Sequence, residues 1–187
     1  MKNTIIKSQI KDIAQIMSGV YLPIVPNGEI AYLQVKDYLN PNPAKTAARV
    51  ASTKRTEGNL LKKNDMLFAS KGATYLSAIY NEEEPAVAST IFFVIRIAND
   101  IILPEYLCWY FNQQSTQSYF KTLQMGSVTP LIHKDSVEEL QIPIPNKETQ
   151  AKIVEASRMV EYEYQLRTQI AYKRKRILDK ILMNIIK

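Results

Sequence analysis

The chain has 187 residues, of which 46% are hydrophobic and 22% are charged, and this balance excludes a disordered or fibrous protein. Its single cysteine excludes a disulfide framework, and no N-terminal run resembles a signal peptide or reaches membrane length, so we expect a cytoplasmic protein. The net charge of +6 is concentrated in residues 36–75 and 147–187, each of which carries a local +5. Such basic segments are typical of proteins that bind a polyanion, although solvated charge without a partner is an equally good explanation.

In chain order, the hydrophobic pattern predicts an α+β fold with a small sheet at residues 1–145. The predicted elements are a helix at 10–17, strands at 30–35, 66–69, 75–80 and 86–97, a helix from 104 to about 123, a short helix near 133–139 and a strand at 140–142. Residues 40–59 are predicted to form a loop, because Pro41, Pro43 and Gly58 punctuate them.

One long helix is predicted to follow, at residues 146–187. Pro143 and Pro145 end the preceding strand, Asn146 suits an N-cap, and no glycine or proline interrupts residues 147–187. These 41 residues correspond to about 60 Å of helix, which is too long to be buried on a small domain. The helix therefore predicts a partner, the alternative being that it folds back onto its own domain.

Apolar side chains recur at helical spacing along this helix and are the candidates for dimerisation. They are Ile153, Met159, Val160, Leu166, Ile170, Ile177, Leu178, Ile181 and Ile185. Arg167, Lys173 and Arg174 interrupt a strict heptad, so a wide apolar face fits better than a simple coiled coil. The basic run 173–176 either faces phosphates or is only solvated.

An ordered series of motifs resembles the DNA specificity subunit of type I restriction-modification systems. The motifs are Ser18-Gly19, Asn64-Asp65-Met66-Leu67, Ser70-Lys71-Gly72, Ala88-Ser89-Thr90, Pro104-Glu105-Tyr106-Leu107, Gly126-Ser127 and Leu140-Gln141-Ile142-Pro143-Ile144-Pro145, the last followed by Gln150 and Ile153. They extend over essentially the whole chain. The Ile-Pro-Ile-Pro junction with Gln150 is the most specific of them.

The resemblance implies a non-catalytic, sequence-specific DNA-binding subunit. It implies that residues 1–145 form a target-recognition domain and that residues 146–187 serve dimerisation and spacing. Subunits of this family usually carry two recognition domains and two antiparallel helices, whereas this chain has one of each. We therefore expect a two-fold homodimer that reads inverted half-sites of a bipartite double-stranded target. It would direct methyltransferase subunits, and through them the restriction subunit, to that target.

Three segments supply the candidate DNA contacts, because lysine and arginine bind phosphates and polar side chains read base edges. The candidates are Lys45, Arg49, Lys54 and Arg55 in the basic loop; Lys71, Thr74 and Tyr75 after a strand; and Ser127, Thr129, His133 and Lys134 in a region that the resemblance also places near DNA. The ordinary alternative is an exposed loop lysine, or a hydroxyl or imidazole that caps the next helix.

Catalytic motifs are missing from the sequence. It contains neither a phosphate-binding Gly-x4-Gly-Lys-Ser/Thr loop nor a Gly-x-Gly-x-x-Gly turn, and its one His and one Cys are far apart. The Asn40–Pro43 run lacks the adjacent prolines and the aromatic residue of an amino-methyltransferase motif. The acidic run 82–84 is expected to be solvated. We therefore predict no catalytic residue, no metal and no cofactor.

Two other functions remain open at this stage. The alternatives to a DNA-binding specificity subunit are a protein-interaction scaffold that acts through the long helix, and a truncated or recombination-cassette fragment of a full-length specificity subunit. A scaffold would show little salt dependence in any DNA affinity, because counterion release scales with the number of phosphate contacts. A fragment would bind DNA poorly alone.

Overall fold

The computed structural model of the protein describes residues 5–72, 75–123 and 131–186. The strands are β1 (Ile6–Gln9), β2 (Ala14–Ser18), β3 (Ile30–Leu33), β4 (Ala48–Val50), β5 (Asp65–Ala69), β6 (Ser77–Tyr80), β7 (Ala86–Ala88), β8 (Phe92–Ile97) and β9 (Gln141–Ile144). The helices are α1 (Ile10–Ile13), α2 (Pro43–Thr46), α3 (Lys54–Glu57), α4 (Pro104–Phe111), α5 (Gln114–Thr122), α6 (Lys134–Glu138) and α7 (Lys147–Ile185), with a 3₁₀ helix at Val35–Leu39. The predicted α+β class with a long C-terminal helix is confirmed.

The centre of the domain is an antiparallel sheet in the order β2-β8-β5-β6. Met66 and Phe68 of β5 belong to one hydrophobic cluster, and Leu67 and Ala69 belong to another. Because successive side chains of a strand point to opposite faces, both faces of this sheet are covered. The apolar run at residues 66–69 is therefore the signature of a central strand.

Each face of the central sheet has its own cover. On one face, the ring centroid of Phe68 lies 5.2 Å from that of Phe111 in α4 and 4.7 Å from that of Phe120 in α5. On the other face lies a three-stranded sheet in the order β4-β3-β7, in which β3 pairs antiparallel with β4 and parallel with β7. The hydrophobic core thus has two layers, one on each face of the central sheet.

The strand predicted at residues 86–97 is two strands in different sheets. Between β7 and β8, the Ser89 N–H donates to the Leu33 carbonyl and the Phe92 N–H donates to the Ser89 carbonyl. Gly19 lies against this crossover so closely that a Cβ would come 2.1 Å from the Ser89 carbonyl oxygen. The β-branched run looks continuous in sequence, but the chain turns here to change sheets.

Two predicted helices are also wrong in part. The helix at 10–17 ends at Ile13, and residues 14–18 pair with β8, with Ala14 and Ile16 buried and Gln15 exposed between them. The helix at 104–123 is broken at Asn112, whose amide donates to the Ser77 carbonyl at 2.9 Å and accepts from the Ser77 N–H at 3.2 Å. In both places a tertiary pairing overrides the local helical pattern.

Smaller differences concern element ends. The predicted loop at 40–59 contains α2, β4 and α3, and the strand predicted from residue 75 begins at Ser77. The strand at 140–142 continues to Ile144 through Pro143, which lies opposite Lys7 of β1 in a two-stranded sheet. That pairing brings the N-terminal strand to the start of α7.

The first turns of α7 are anchored in the domain. The Asn146 side chain accepts a hydrogen bond from the Thr149 N–H at 2.8 Å, so the predicted N-cap is confirmed. Gln150 is fully buried and Val154 is buried in the main hydrophobic cluster. The root of the helix therefore belongs to the core of the domain.

Beyond Ser157 the helix leaves the domain. Every residue from Arg158 to Ile186 is exposed, so the alternative in which the helix folds back onto its own domain is wrong. This part of the chain has 29 residues and extends about 43 Å. No helix within the described residues combines the length and hydrophobicity required to cross a bilayer.

Candidate nucleic-acid interface

Lys54 and Arg55 project from the short helix α3. Thr53 and Thr56 close a capping box at its start: the Thr56 N–H donates to Thr53 Oγ1 at 3.2 Å, and the Thr53 N–H donates to Thr56 Oγ1 at 2.6 Å. Thr56 is fully buried, whereas both cations are exposed. The cap thus fixes a rigid turn that presents two positive charges to solvent.

The other two candidates of the basic loop lie on α2 and β4 and differ from each other. Lys45 is exposed on α2, whose first turn is held by Glu82, because the Ala44 N–H donates to both oxygens of that carboxylate at 3.1 and 3.2 Å. Arg49 lies on β4, and its Nη2 is 2.5 Å from Glu84 Oε1. Arg49 is therefore engaged within the protein, and the acidic run expected to be solvated supplies two structural carboxylates.

A second group forms where β5 ends. Lys71 pairs with Leu131 in an isolated antiparallel bridge, and the Ile132 N–H donates to the Ser70 carbonyl at 2.9 Å. The fold thereby brings Lys71 beside the segment that carries His133 and Lys134. Gly72 has a φ of +102°, a conformation that side chains rarely adopt, so the chain turns sharply there.

His133 and Lys134 stand at the start of α6, and both are exposed. The His133 side chain makes no capping hydrogen bond, so the capping alternative for this residue is wrong. Lys134 Nζ lies 3.2 Å from Glu138 Oε1, an exposed pair one turn apart that contributes little to stability. Both side chains are accessible to a ligand.

The prediction that Tyr75 contacts DNA is wrong. Its side chain is 3% exposed, and its ring centroid lies 6.0 Å from that of Phe120 within the core. An aromatic ring that fills the core is not available to stack on bases. The candidates Thr74, Ser127 and Thr129 lie outside the described residues.

The structure adds two cations that the sequence did not single out. Lys62 and Lys63 are exposed at a turn completed by Asn64, which has a φ of +70°. Arg96 lies nearby and binds Asp65 through Nε at 2.8 Å and Nη2 at 2.6 Å, and this hydrogen bonding raises the pKa of Arg96. Because Arg96 is neutralised, the two lysines carry the net charge. In the sequence, the Lys-Lys pair directly before an Asn-Asp turn was the pattern that could have predicted these exposed cations.

Cys108, which is partly buried, and Tyr80, which is buried, are both held neutral. Burial raises the pKa of the Cys108 thiol to about 12, with a further contribution from Glu105. Burial likewise raises the pKa of Tyr80 to about 12, and its hydroxyl donates to the Glu84 carbonyl. The described residues contain no group of three or more side chains suited to a metal ion.

The exposed part of α7 carries eight of the nine dimerisation candidates, with exposed fractions from 40% at Leu166 to 73% at Ile185. Ile153 is the exception, because it packs against the main cluster of its own domain. We call the other eight the apolar stripe: Met159, Val160, Leu166, Ile170, Ile177, Leu178, Ile181 and Ile185. Ile170 follows the buried Val154 by sixteen residues, so at about 100° per residue the stripe faces away from the domain.

The described part of the chain thus combines exposed cations on a mixed α/β domain with a long helix that carries an exposed apolar stripe. The model of the type I restriction modification DNA specificity domain family matches residues 4–171. The chain belongs to this family.

Relatives agree with this assignment. The chain is 34% identical over 114 residues to the type I restriction enzyme HindI specificity subunit of Haemophilus influenzae, an alignment that covers 59% of this chain and 25% of that subunit. The fold is similar to the HsdS subunit of Thermoanaerobacter tengcongensis, with a TM-score of 0.64 and 14% identity over 87% of this chain and 39% of the other. It is also similar to the S subunit of M. genitalium, with a TM-score of 0.58 and 18% identity over 93% and 44%. The chain thus spans a quarter of the curated relative and about two fifths of the solved ones.

Proposed function

We propose that the chain recognises one half of a bipartite DNA target and forms a two-fold homodimer that reads two inverted half-sites. In this proposal residues 1–145 recognise DNA, and residues 146–187 set the distance between the two recognition domains. The dimer would direct methyltransferase subunits, and through them a restriction subunit, to the site. The solved S subunits and the HindI subunit are each more than twice as long as the matched region, which supports pairing two copies.

The observation that carries the proposal is the apolar stripe. It extends over 27 residues, from Met159 to Ile185, and faces away from the domain to which the helix is rooted. Apolar surface of this extent on a soluble chain is typical of a protein interface. A second copy offers the same stripe, and a two-fold axis makes the two self-complementary.

Light scattering on the full chain tests the dimer. We expect the mass of two chains, and we expect the double variant Ile170→Glu with Ile177→Glu to give one, because two charges would be buried in the interface. Thr168→Glu is the matched control, since Thr168 is exposed and lies about 160° around the helix from Ile170. A monomer at full length, or equal behaviour of the variant and the control, would contradict the dimer.

A truncation should fall after Ser157 and not after Pro145. Gln150 and Val154 lie in the core of the domain, so an earlier cut would remove part of the recognition domain itself. Truncation after Ser157 removes the exposed helix alone. We expect a folded monomer with unchanged near-ultraviolet circular dichroism.

DNA recognition is tested by fluorescence anisotropy with duplexes selected from a random pool. We expect Lys54→Ala and Arg55→Ala each to weaken binding and to reduce the slope of log affinity against log salt by about 0.9 for each phosphate that the variant no longer neutralises. Arg49→Ala is the internal control, because its guanidinium already pairs with Glu84. Equal losses of affinity for Arg49→Ala and Arg55→Ala would contradict the assignment of α3 as the DNA-facing element.

A second candidate is one segment of a two-domain specificity subunit. The observation in its favour is that the chain spans only 25% of the HindI subunit and 39% of the HsdS chain. This candidate predicts that the present chain alone is a monomer. Its apolar stripe would be covered by a second helix, of different sequence, from the other segment of the subunit. The light-scattering experiment separates it from the homodimer.

A further inference from the structure

Three charged residues lie on the side of α7 that carries the apolar stripe. Measured around the helix from Ile170, at about 100° per residue, the stripe occupies a sector from about −40° to about +80°. Glu163, Arg174 and Arg167 lie inside this sector, at about 20°, about 40° and about 60°. Arg167 Nη2 is 2.5 Å from Glu163 Oε1, whereas the Arg174 guanidinium has no hydrogen-bond or ion-pair partner in the described part of the chain. A partner that covers the stripe therefore has to supply a carboxylate for Arg174, because an unpaired charge is costly to bury.

The charged residues continue a regular spacing of apolar residues. Along this side of α7, exposed positions alternate four and three residues apart, which is the spacing of side chains at the contact between two packed helices. We call these positions the seam: Ala156, Val160, Glu163, Arg167, Ile170, Arg174, Ile177 and Ile181. A polar residue at such a position specifies how the two helices align, at some cost in stability. The three charges are therefore candidates for residues that fix the alignment of a second helix.

We propose that α7 pairs in antiparallel orientation with α7 of a second copy, and that Glu163 of each copy binds Arg174 of the other; this inference rests on the homodimer proposed above. The two-fold axis then crosses the pair midway between residues 168 and 169. Each Glu163 carboxylate lies between Arg167 of its own helix and Arg174 of the other. Arg167 lies opposite Ile170, against which its aliphatic stem packs. All three charges of the seam are thereby compensated.

The apolar residues of the seam fit the same alignment. Val160 of each copy lies opposite Ile177 of the other, and Ala156 lies opposite Ile181. Ala156 is exposed at the root of α7, so a second helix can reach it without entering the core of the domain. The charged layers at the centre of the pair are thus followed by apolar layers towards both ends.

A parallel pair brings like charges together. A two-fold axis that runs along the helices places every residue of the seam opposite its own copy. Glu163 would then face Glu163, and Arg174 would face Arg174, without compensation from the other helix. Like charges placed opposite each other suppress the wrong arrangement of an interface, so the seam disfavours the parallel pair.

Antiparallel alignments shifted by one heptad are also disfavoured. A shift in one direction places Glu163 opposite Ile181 and Arg174 opposite Ile170, which leaves both charges without a counter-charge across the pair. A shift in the other direction places Ile185 opposite Pro145. Pro145 is buried at the start of α7, so the domain occupies the place that the second helix would need.

The charge pair consequently sets the distance between the two recognition domains. In the proposed alignment Ser157 of the other copy lies level with Lys180, so the two roots are 23 residues, or about 35 Å, apart along the pair. This distance is close to one turn of B-DNA, about 34 Å. A shift of one heptad would change it by about 10 Å, or about three base pairs. The gap between two inverted half-sites thus depends on which residues of the seam pair.

Charge reversal tests the pair. Sedimentation equilibrium gives the dissociation constant of the wild type, of Glu163→Arg, of Arg174→Glu and of the double variant. We expect each single reversal to weaken the dimer about tenfold or more, because two like-charge contacts replace two attractive ones. The double variant should return to within about threefold of the wild type, the remainder reflecting the lost pair with Arg167.

Asp179→Arg and Lys175→Glu are the matched controls. They make the same two charge changes on exposed residues about 180° and about 140° around the helix from Ile170, and should each change the dissociation constant by less than about twofold. A double variant as weak as the single ones, or single variants as tight as the wild type, overturns the charge pair and leaves the homodimer intact. A monomeric wild type overturns both.

Disulfide crosslinking tests the alignment itself. Val160→Cys and Ile177→Cys are each made in a Cys108→Ala background and are oxidised alone and after mixing. In the proposed pair, two copies of one variant hold their thiols 17 residues, or about 26 Å, apart, whereas the mixture brings two thiols together. We expect a covalent dimer from the mixture and from neither variant alone. A covalent dimer from one variant alone, or a dimer by light scattering that no sample crosslinks, overturns the alignment.

Discussion

Gln150 connects three segments at the root of α7, and its replacement gives the sharpest test of how the helix is attached. The side chain is fully buried, and its oxygen accepts from the Leu103 N–H at 2.8 Å. Its amide nitrogen donates to the Ile101 carbonyl at 2.9 Å and to the Pro145 carbonyl at 2.7 Å. One side chain therefore joins the end of β9, the start of α4 and the first turn of α7.

Gln150→Leu keeps the approximate shape of the side chain and removes all three hydrogen bonds. A buried polar group left unpaired costs about 1–3 kcal/mol, so three backbone groups cost about 6 kcal/mol at the middle of that range. Burial of the added apolar surface returns about 2 kcal/mol. We expect a net loss of about 4 kcal/mol in the free energy of unfolding, a large part of the roughly 5–15 kcal/mol of an ordinary domain.

Urea unfolding followed by far-ultraviolet circular dichroism measures this loss. The matched control is Gln165→Leu, because Gln165 lies on the exposed part of the same helix, where its side chain donates to Glu161 at 3.0 Å. We expect this control to change stability by less than about 0.5 kcal/mol. The reasoning is refuted if Gln150→Leu costs less than about 1 kcal/mol, or if the control costs as much.

Further predictions concern the core and the turns. Because desolvation raises the pKa of Cys108 from 9.0 to about 12, the folded protein should be alkylated about a thousandfold more slowly at pH 8 than the protein in urea, and the alkylation rate should still rise with pH through pH 10; a rate that levels off near pH 9 would contradict the raised pKa of this thiol. Asp65→Asn should cost about 2 kcal/mol in thermal unfolding, because it leaves Arg96 without its buried carboxylate, and an unchanged melting temperature would contradict this. The Cβ of Gly72→Ala meets no atom of the described residues within 4 Å, so this substitution should cost only about 1 kcal/mol of backbone strain, whereas Gly19→Ala, whose Cβ would meet Ser89, should abolish folding; equal effects would be evidence against the crossover geometry.

The parts of the fold that the sequence predicted are those where local and tertiary preferences agree. The strand at Met66–Ala69 is apolar at every position because both of its faces are covered, and Asn146 caps α7 through its own side chain. Residues 14–18 show the opposite case. Their apolar spacing suits a helix, but β8 offers an edge to which they bind, and no local pattern contains that information.

The sequence predicted which segments of the candidate site carry positive charge, but not which of their side chains are exposed and unpaired. Lys54 and Arg55 were expected to be exposed, and they are. Arg49 belongs to the same basic run but is neutralised by Glu84, a residue 35 positions later in the chain, and Tyr75 follows a glycine turn yet fills the core. Whether a cation or a ring faces solvent depends on which distant segment packs beside it, which spacing within the run does not reveal.

The domain and the exposed part of α7 differ in what they contribute to the structure. The domain completes its core with Gln150 and Val154, so nothing after Ser157 contributes to its stability through buried contacts among the described residues. The remaining helix nevertheless keeps the apolar stripe free of glycine and proline for 27 residues, and exposed surface of that kind favours aggregation unless a partner covers it. The domain does not need this helix for its core, and the proposed second copy would cover the apolar surface that the helix exposes. Because the stripe lies opposite the helix root, that copy could bind without displacing the domain.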